Sequence, residues 1–277
     1  MGSALITLRN ESIFVKQMGE GEPIVFLHGG PGGEHGFFLP HLAPLSSQFK
    51  LVFYDQRGCG KSSFREEAIY TMGEEVETLE SLREHLKIDK LNLVGESWGS
   101  MLALLYASKY PENVNRLFLT AAVGAKTEGY VNFGRLLMER LSEAELERFH
   151  QVTEDYKEGK AAAADIFQII DPYYLFDSAN LSRKTETKSN TIVNSQIGED
   201  ILQNYESSIN PAALADIPVM AAQGVRDILT PDMLEELLLS LIPHAAIEVI
   251  PECGHWTAIE QPAILMEKII AFFKGEK

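Results

Sequence analysis

Short apolar runs recur along the chain with longer mixed segments between them, and this alternation predicts strand followed by helix, repeatedly. Two N-terminal strands are expected at residues 5–9 and 13–17. Residues 24–27, Ile-Val-Phe-Leu, stop at a glycine-rich stretch, and residues 51–54, Leu-Val-Phe-Tyr, run into a second loop rich in polar residues and glycine. Both read as strands leading into loops. A helix is expected over 73–87, a short buried strand over 91–94, and a buried helix that includes 101–107 and ends near Pro111. Strands at 114–121, 217–222 and 246–250 and a closing helix at 261–274 complete the series. Such alternation predicts a mostly parallel central sheet flanked by helices, an α/β architecture.

Between residues 123 and 211 the pattern changes. Helical segments follow one another there without a convincing strand, and Ser142 with Glu145 has the spacing of a capping box that opens a helix. The expected organisation is a core of residues 1–122 and 212–277 interrupted by a helical insertion of residues 123–211. Open α/β sheets bind ligands at the C-terminal ends of their strands, so an insertion above that rim would act as a lid. The alternative is a packing subdomain with no part in chemistry.

Composition narrows the class. A chain of 277 residues with 45% hydrophobic content can bury a substantial core without a metal or disulfide staple. The net charge of −16 argues against nucleic acid as a partner, because a phosphate backbone needs clustered Lys and Arg, and an acidic surface repels anionic membranes. No apolar stretch is long enough to span a bilayer and no basic segment precedes an apolar one at the start, so a cytoplasmic location is expected. Cys59 and Cys253 are too few for a disulfide scaffold or a metal site of their own.

The candidate chemistry begins at Gly95-Glu96-Ser97-Trp98-Gly99, a Gly-x-Ser-x-Gly that closes an apolar strand and opens a helix. In that setting the serine sits on a strained turn with its hydroxyl exposed, and the two glycines let strand and helix close together. Ser97 is the candidate nucleophile. A serine hydroxyl needs a neighbouring base, and that base needs an orienting carboxylate. Downstream lie His150, in a charged helical segment, His244, at the far edge of the sheet, and His255, just past the last strand. His255 is the candidate base, because catalytic loops follow strand ends. Asp216 precedes a strand and Asp232 sits in the first turn of a helix, whereas Asp227 follows the strand at 217–222 and is the candidate acid. Two backbone donors should form an oxyanion hole: the N–H of Trp98, and one from the loop His28-Gly29-Gly30-Pro31-Gly32-Gly33, with Gly30 chosen and Gly29 its neighbour. The loop lacks the spacing of a phosphate-binding motif. No organic cofactor or metal is called for, since the three side chains complete the mechanism.

Taken together, the glycine loop, Tyr54-Asp55-Gln56-Arg57-Gly58-Cys59-Gly60-Lys61-Ser62, the Ser97 pentapeptide, Gly224-x-Arg226-Asp227 and Gly254-His255 resemble the α/β-hydrolase superfamily, and within it the proline iminopeptidases. The resemblance implies Ser97, Asp227 and His255 as a triad, with Asp55 and Arg57 as structural anchors beside the site. Prolyl-specific members usually carry Gly where this chain has Glu96, and their lids carry Trp and Glu residues that recognise the free amino end. Here Trp98 and Trp256 both belong to the core, and Glu199, Asp200 and Glu206 are the candidate ammonium ligands of the insertion. The implied function is hydrolysis of a small amide or ester through an acyl-enzyme, with a small molecule or short peptide as substrate. An aminopeptidase stands first, a carboxylesterase or lactonase second, and a non-catalytic ligand receptor on the same scaffold third. Oligomeric state is left open.

Overall fold

The computed structural model describes residues 2–275, so residues 1, 276 and 277 of the expected core lie outside it. An antiparallel hairpin, β1 (Gly2–Leu8) and β2 (Glu11–Met18), leads into β3 (Pro23–Leu27) and β4 (Lys50–Tyr54). Then α1 (Met72–Leu86), β5 (Leu91–Glu96), α2 (Trp98–Lys109) and β6 (Val114–Thr120) alternate as the apolar pattern predicts. The insertion carries α3 (Thr127–Glu139), α4 (Glu143–Lys157), α5 (Ala163–Ile170) and α6 (Thr191–Ser208), and α7 (Pro211–Leu214) begins at its end and runs into the core. The chain closes with β7 (Val219–Gly224), α8 (Pro231–Leu239), β8 (Ala246–Ile250), α9 (Thr257–Glu260) and α10 (Pro262–Lys274).

Among the described residues, eight strands form one sheet in the order β1-β2-β4-β3-β5-β6-β7-β8. From β4 to β8 all pairings are parallel, and β2 meets β4 antiparallel. All six residues of β5 are buried, because helices cover both sheet faces and neither side of the strand needs polar residues. One face packs against α1, α2 and α8 through a cluster that includes Leu79, Leu82, Met101, Leu104 and Leu238. The other carries α10, with Leu265, Ile269 and Phe273 against Phe26, Phe53 and Phe118.

Ser142 caps α4 and its Glu145 closes the reciprocal bond, as the spacing predicts. The insertion is not uniform in its packing. Leu137, Leu141, Ile169 and Ile170, on and around α3 and α5, form a cluster of their own with Ile228, while Val193, Ile197, Ile201 and Tyr205 of α6 join the main core. Among the described residues no helix is long and apolar enough to cross a membrane.

Candidate active site

The turn between β5 and α2 is as tight as its glycines allow. A Cβ on Gly95 would lie 2.3 Å from the Gly99 carbonyl oxygen, and one on Gly99 would lie 2.0 Å from that of Leu27. Ser97 itself holds φ 52° and ψ −117°, a left-handed backbone that a side-chain-bearing residue adopts only under constraint. The Ser97 N–H is tied to the Thr120 carbonyl, and the hydroxyl is left partly exposed.

His255 lies on the loop after β8 and Asp227 on the loop after β7. His255 Nε2 is 3.0 Å from Ser97 Oγ, and its Nδ1 is 2.8 Å from Asp227 Oδ1. With Nδ1 protonated toward the carboxylate, Nε2 is free to accept from the serine. Asp227 is fully buried and also accepts from Gln223 Nε2 at 3.0 Å and from the Leu229 N–H at 3.3 Å. Burial alone would lower the pKa of His255, but the charge of Asp227, its hydrogen bond and the weaker influence of Glu96 overcome that and leave it above the usual value. The imidazole packs between Phe133 and Tyr174, with ring centroids 4.7 and 5.5 Å away.

The glycine loop is held from three directions. Gln56 donates its N–H to His28 Nε2 and its amide to the His28 carbonyl, and its Oε1 accepts from Trp98 Nε1 at 2.8 Å. From the insertion, Asn194 reaches the Pro31 carbonyl at 2.8 Å and the Asn190 N–H reaches that of Gly32 at 2.8 Å. Gly30 is exposed and lines the site, whereas Gly29 is buried against the Glu96 carboxylate. Asp55 accepts from the His35 N–H, His35 Nδ1 and the Lys61 N–H, and Arg57 pairs with Glu11 at 2.7 Å. Both serve as loop anchors. Glu34, His35 and Asp55 bring possible ligand atoms within 4.8 Å, but the bonds of His35 and Asp55 to each other and to backbone already occupy that cluster.

A cavity of about 170 Å³ opens over Ser97. Phe37, Phe133, Phe167, Tyr174 and Trp256 supply its aromatic wall, and Glu34, Glu96, Asp171, Lys184 and Lys188 its charges. Trp256 is buried as the sequence predicts but stacks on Tyr174 at 5.1 Å and presents part of its ring to the cavity. The three insertion acids expected to face substrate do not. Glu199 and Glu206 are exposed on α6, and Asp200 accepts from the Met72 N–H at 2.8 Å, so its carboxylate faces the start of α1. Helix α6 turns its apolar stripe into the core, which necessarily turns its acids away from the pocket.

Residues the sequence reading passed over surround the base. Arg140 donates to the Asp227 carbonyl at 2.7 Å and to that of Tyr173 at 3.0 Å, joining the insertion to the acid loop. The His255 N–H donates to the Tyr174 carbonyl at 2.7 Å. Glu260, buried, accepts from the backbone of Gly254 at 2.7 Å, of Phe176 at 2.9 Å and of Asp177 at 3.1 Å, and from Asn180 Nδ2 at 3.2 Å. Glu96 was legible by position, one residue ahead of the serine; Arg140 and Glu260 carry no local signal, because their partners are remote in the chain.

A family model described as the alpha/beta hydrolase fold matches residues 22–262, from just before β3 to the start of α10. The chain belongs to the α/β-hydrolase family. A proline iminopeptidase of Lactobacillus helveticus (strain DPC 4571) is 41% identical to this hydrolase over 116 residues, a stretch that spans 40% of the chain and only 39% of that relative. The proline iminopeptidase of Lactobacillus crispatus (strain ST1) is 27% identical over 273 residues, 89% of this chain and 88% of the relative. Among solved structures, the proline iminopeptidase of Mycobacterium smegmatis superposes with a TM-score of 0.71 at 20% identity, covering 99% of this chain and 98% of the other. A thermophilic esterase from Thermogutta terrifontis superposes at 0.69 with 20% identity, covering 100% and 99%. At such identities the likeness of this hydrolase to solved structures speaks for the fold alone.

Proposed function

We propose that this α/β hydrolase is a serine hydrolase that cleaves a small amide or ester through an acyl-enzyme, and that its first substrate class is the short free-amine substrate of a proline iminopeptidase-like aminopeptidase. The observation that carries the reading is the hydrogen-bonded chain from Ser97 through His255 to Asp227, facing a cavity of about 170 Å³. In this reading His255 takes the Ser97 proton as the hydroxyl attacks the carbonyl carbon, then returns it to the leaving amine or alcohol. Asp227 holds the imidazole in the right tautomer and stabilises its cation. The N–H groups of Trp98 and Gly30 receive the developing oxyanion; the exposure of Gly30 on the cavity wall supports it for that role. A water then repeats the sequence on the acyl-enzyme. Residues 123–211 form the lid that walls the cavity and shields it from bulk water.

A carboxylesterase or lactonase is the second reading, favoured by the aromatic wall of the cavity. The two are separated by assaying prolyl and alanyl arylamides beside short acyl nitrophenyl esters, with Ser97→Ala as control. The aminopeptidase reading expects arylamide turnover that falls in Ser97→Ala by about a million-fold, toward background. Ester turnover without arylamide turnover rejects it in favour of the esterase, and tight ligand binding with no turnover of either points to a receptor.

A further inference from the structure

The charges on the cavity wall are not all balanced. Asp171 pairs with Lys184, whose ammonium also lies 4.9 Å over the Trp256 ring and 5.7 Å over that of Phe167. Glu34 is half-buried and accepts from the Lys188 N–H at 2.8 Å. Glu96 is different. It is 4% exposed, lines the cavity, and among the described residues has neither an ion-pair partner nor a side-chain donor. It is also close to the reacting atoms. A Cβ built on Gly29 would lie 2.1 Å from Glu96 Oε2 and 3.1 Å from Ser97 Cβ, so the carboxyl and the nucleophile's side chain press on the same glycine.

A buried anion here is a liability for a hydrolase of neutral acyl groups. It is costly to desolvate, and it would repel the oxyanion that must form over Ser97. A cation between the two removes both costs. With the Glu96 carboxyl and the Ser97 side chain on the same glycine, a group bonded to Glu96 can sit close to a carbonyl carbon held at Ser97 Oγ, which is where an α-amino acid carries its amine. We propose that Glu96 is a specificity-determining residue that receives a substrate ammonium adjacent to the scissile carbonyl, and that it selects aminoacyl over neutral acyl groups. The inference rests on the hydrolase reading for the identity of the carbonyl. It places the charge recognition on the nucleophile strand rather than on the insertion acids Glu199, Asp200 and Glu206.

The test is an NMR titration of the protein with L-alaninamide and L-lactamide, which differ by an ammonium in place of a hydroxyl, just above neutral pH. Wild type should bind the amine at least about tenfold more tightly, and Glu96→Gln should bring the ratio close to one, as expected for loss of a buried charge-assisted bond. Glu96→Ala, which makes no polar demand of its own, is the second variant and should give the same collapse. A wild-type ratio near one, or a ratio that survives in the variants because both ligands weaken equally, overturns the proposal. Hydrolysis of alanine nitroanilide and of nitrophenyl propionate by wild type and Ser97→Ala is read in parallel. Absent Ser97-dependent turnover of both substrates alongside a collapsing ratio sinks the hydrolase reading and leaves Glu96 as an ammonium site without a scissile carbonyl; turnover of either with an invariant ratio sustains the hydrolase reading and overturns the role of Glu96.

Discussion

At the scale of the residue, the same burial pushes two neighbouring titratable groups in opposite directions, yet both end above their ordinary values. It pushes the Glu96 carboxyl up to about 7, against the opposing influence of His255, while His255, faced by the anions of Asp227 and Glu96 and by the weaker opposing charge of Arg140, ends above its ordinary 6.5. A general base works only when unprotonated, so kcat/KM for a neutral ester should rise with pH through a midpoint above that value. Asp227→Asn removes an anion that stabilises the imidazolium, so the midpoint should move to lower pH while kcat drops by about ten-thousand-fold through loss of the tautomer. Glu96→Gln should move it in the same direction by less, since the Glu96 charge contributes less than Asp227 does. A pH–rate profile of the three proteins checks this; a midpoint that moves upward in either variant contradicts the sign argued here. The residue that makes the geometry possible was legible throughout, because a pentapeptide with glycines on both sides of a serine is a local steric requirement that can be read without the fold.

At the scale of the element, the insertion is fastened where the chemistry would take place. The segment following α5 gives its Tyr174 carbonyl to the His255 N–H, and its Phe176 and Asp177 N–H groups to Glu260 at the end of α9. One carboxylate thus joins the histidine loop to the insertion, so moving that segment as a unit would have to break buried hydrogen bonds. Glu260→Gln keeps the shape but replaces one acceptor oxygen by a donor among four donors, and should cost about 2–4 kcal/mol in urea unfolding. The variant should also speed amide hydrogen exchange in residues 174–183 while leaving β5 protected. Unchanged exchange there would mean that the clasp does not hold the segment. None of this was readable from the helical pattern of residues 123–211, which predicted helices and a position above the sheet, but not which backbone groups would need an acceptor.

At the scale of the whole molecule, an excess of acidic over basic residues gives a net charge of −16, and the folded state concentrates that charge on one compact surface. Self-repulsion of this kind is screened by salt, so the Tm should rise by a few degrees between low ionic strength and about 0.15 M sodium chloride. A falling Tm would indicate that the ion pairs of the surface, such as Lys109 with Glu77, outweigh the repulsion. The order of strands and helices, the loops that end β3, β5, β7 and β8, and the succession Ser97, Asp227, His255 were all determined by the amino-acid sequence. They follow from hydrophobic periodicity and backbone sterics, which act over a few residues and survive in any context. What each carboxylate does was decided only by the tertiary structure. Glu199, Asp200 and Glu206 were the expected ammonium ligands, and the fold turned them outward or onto α1 while it turned Glu96 and Glu260 inward. An acid's role depends on which donor or cation reaches it, and that partner comes from a distant part of the chain.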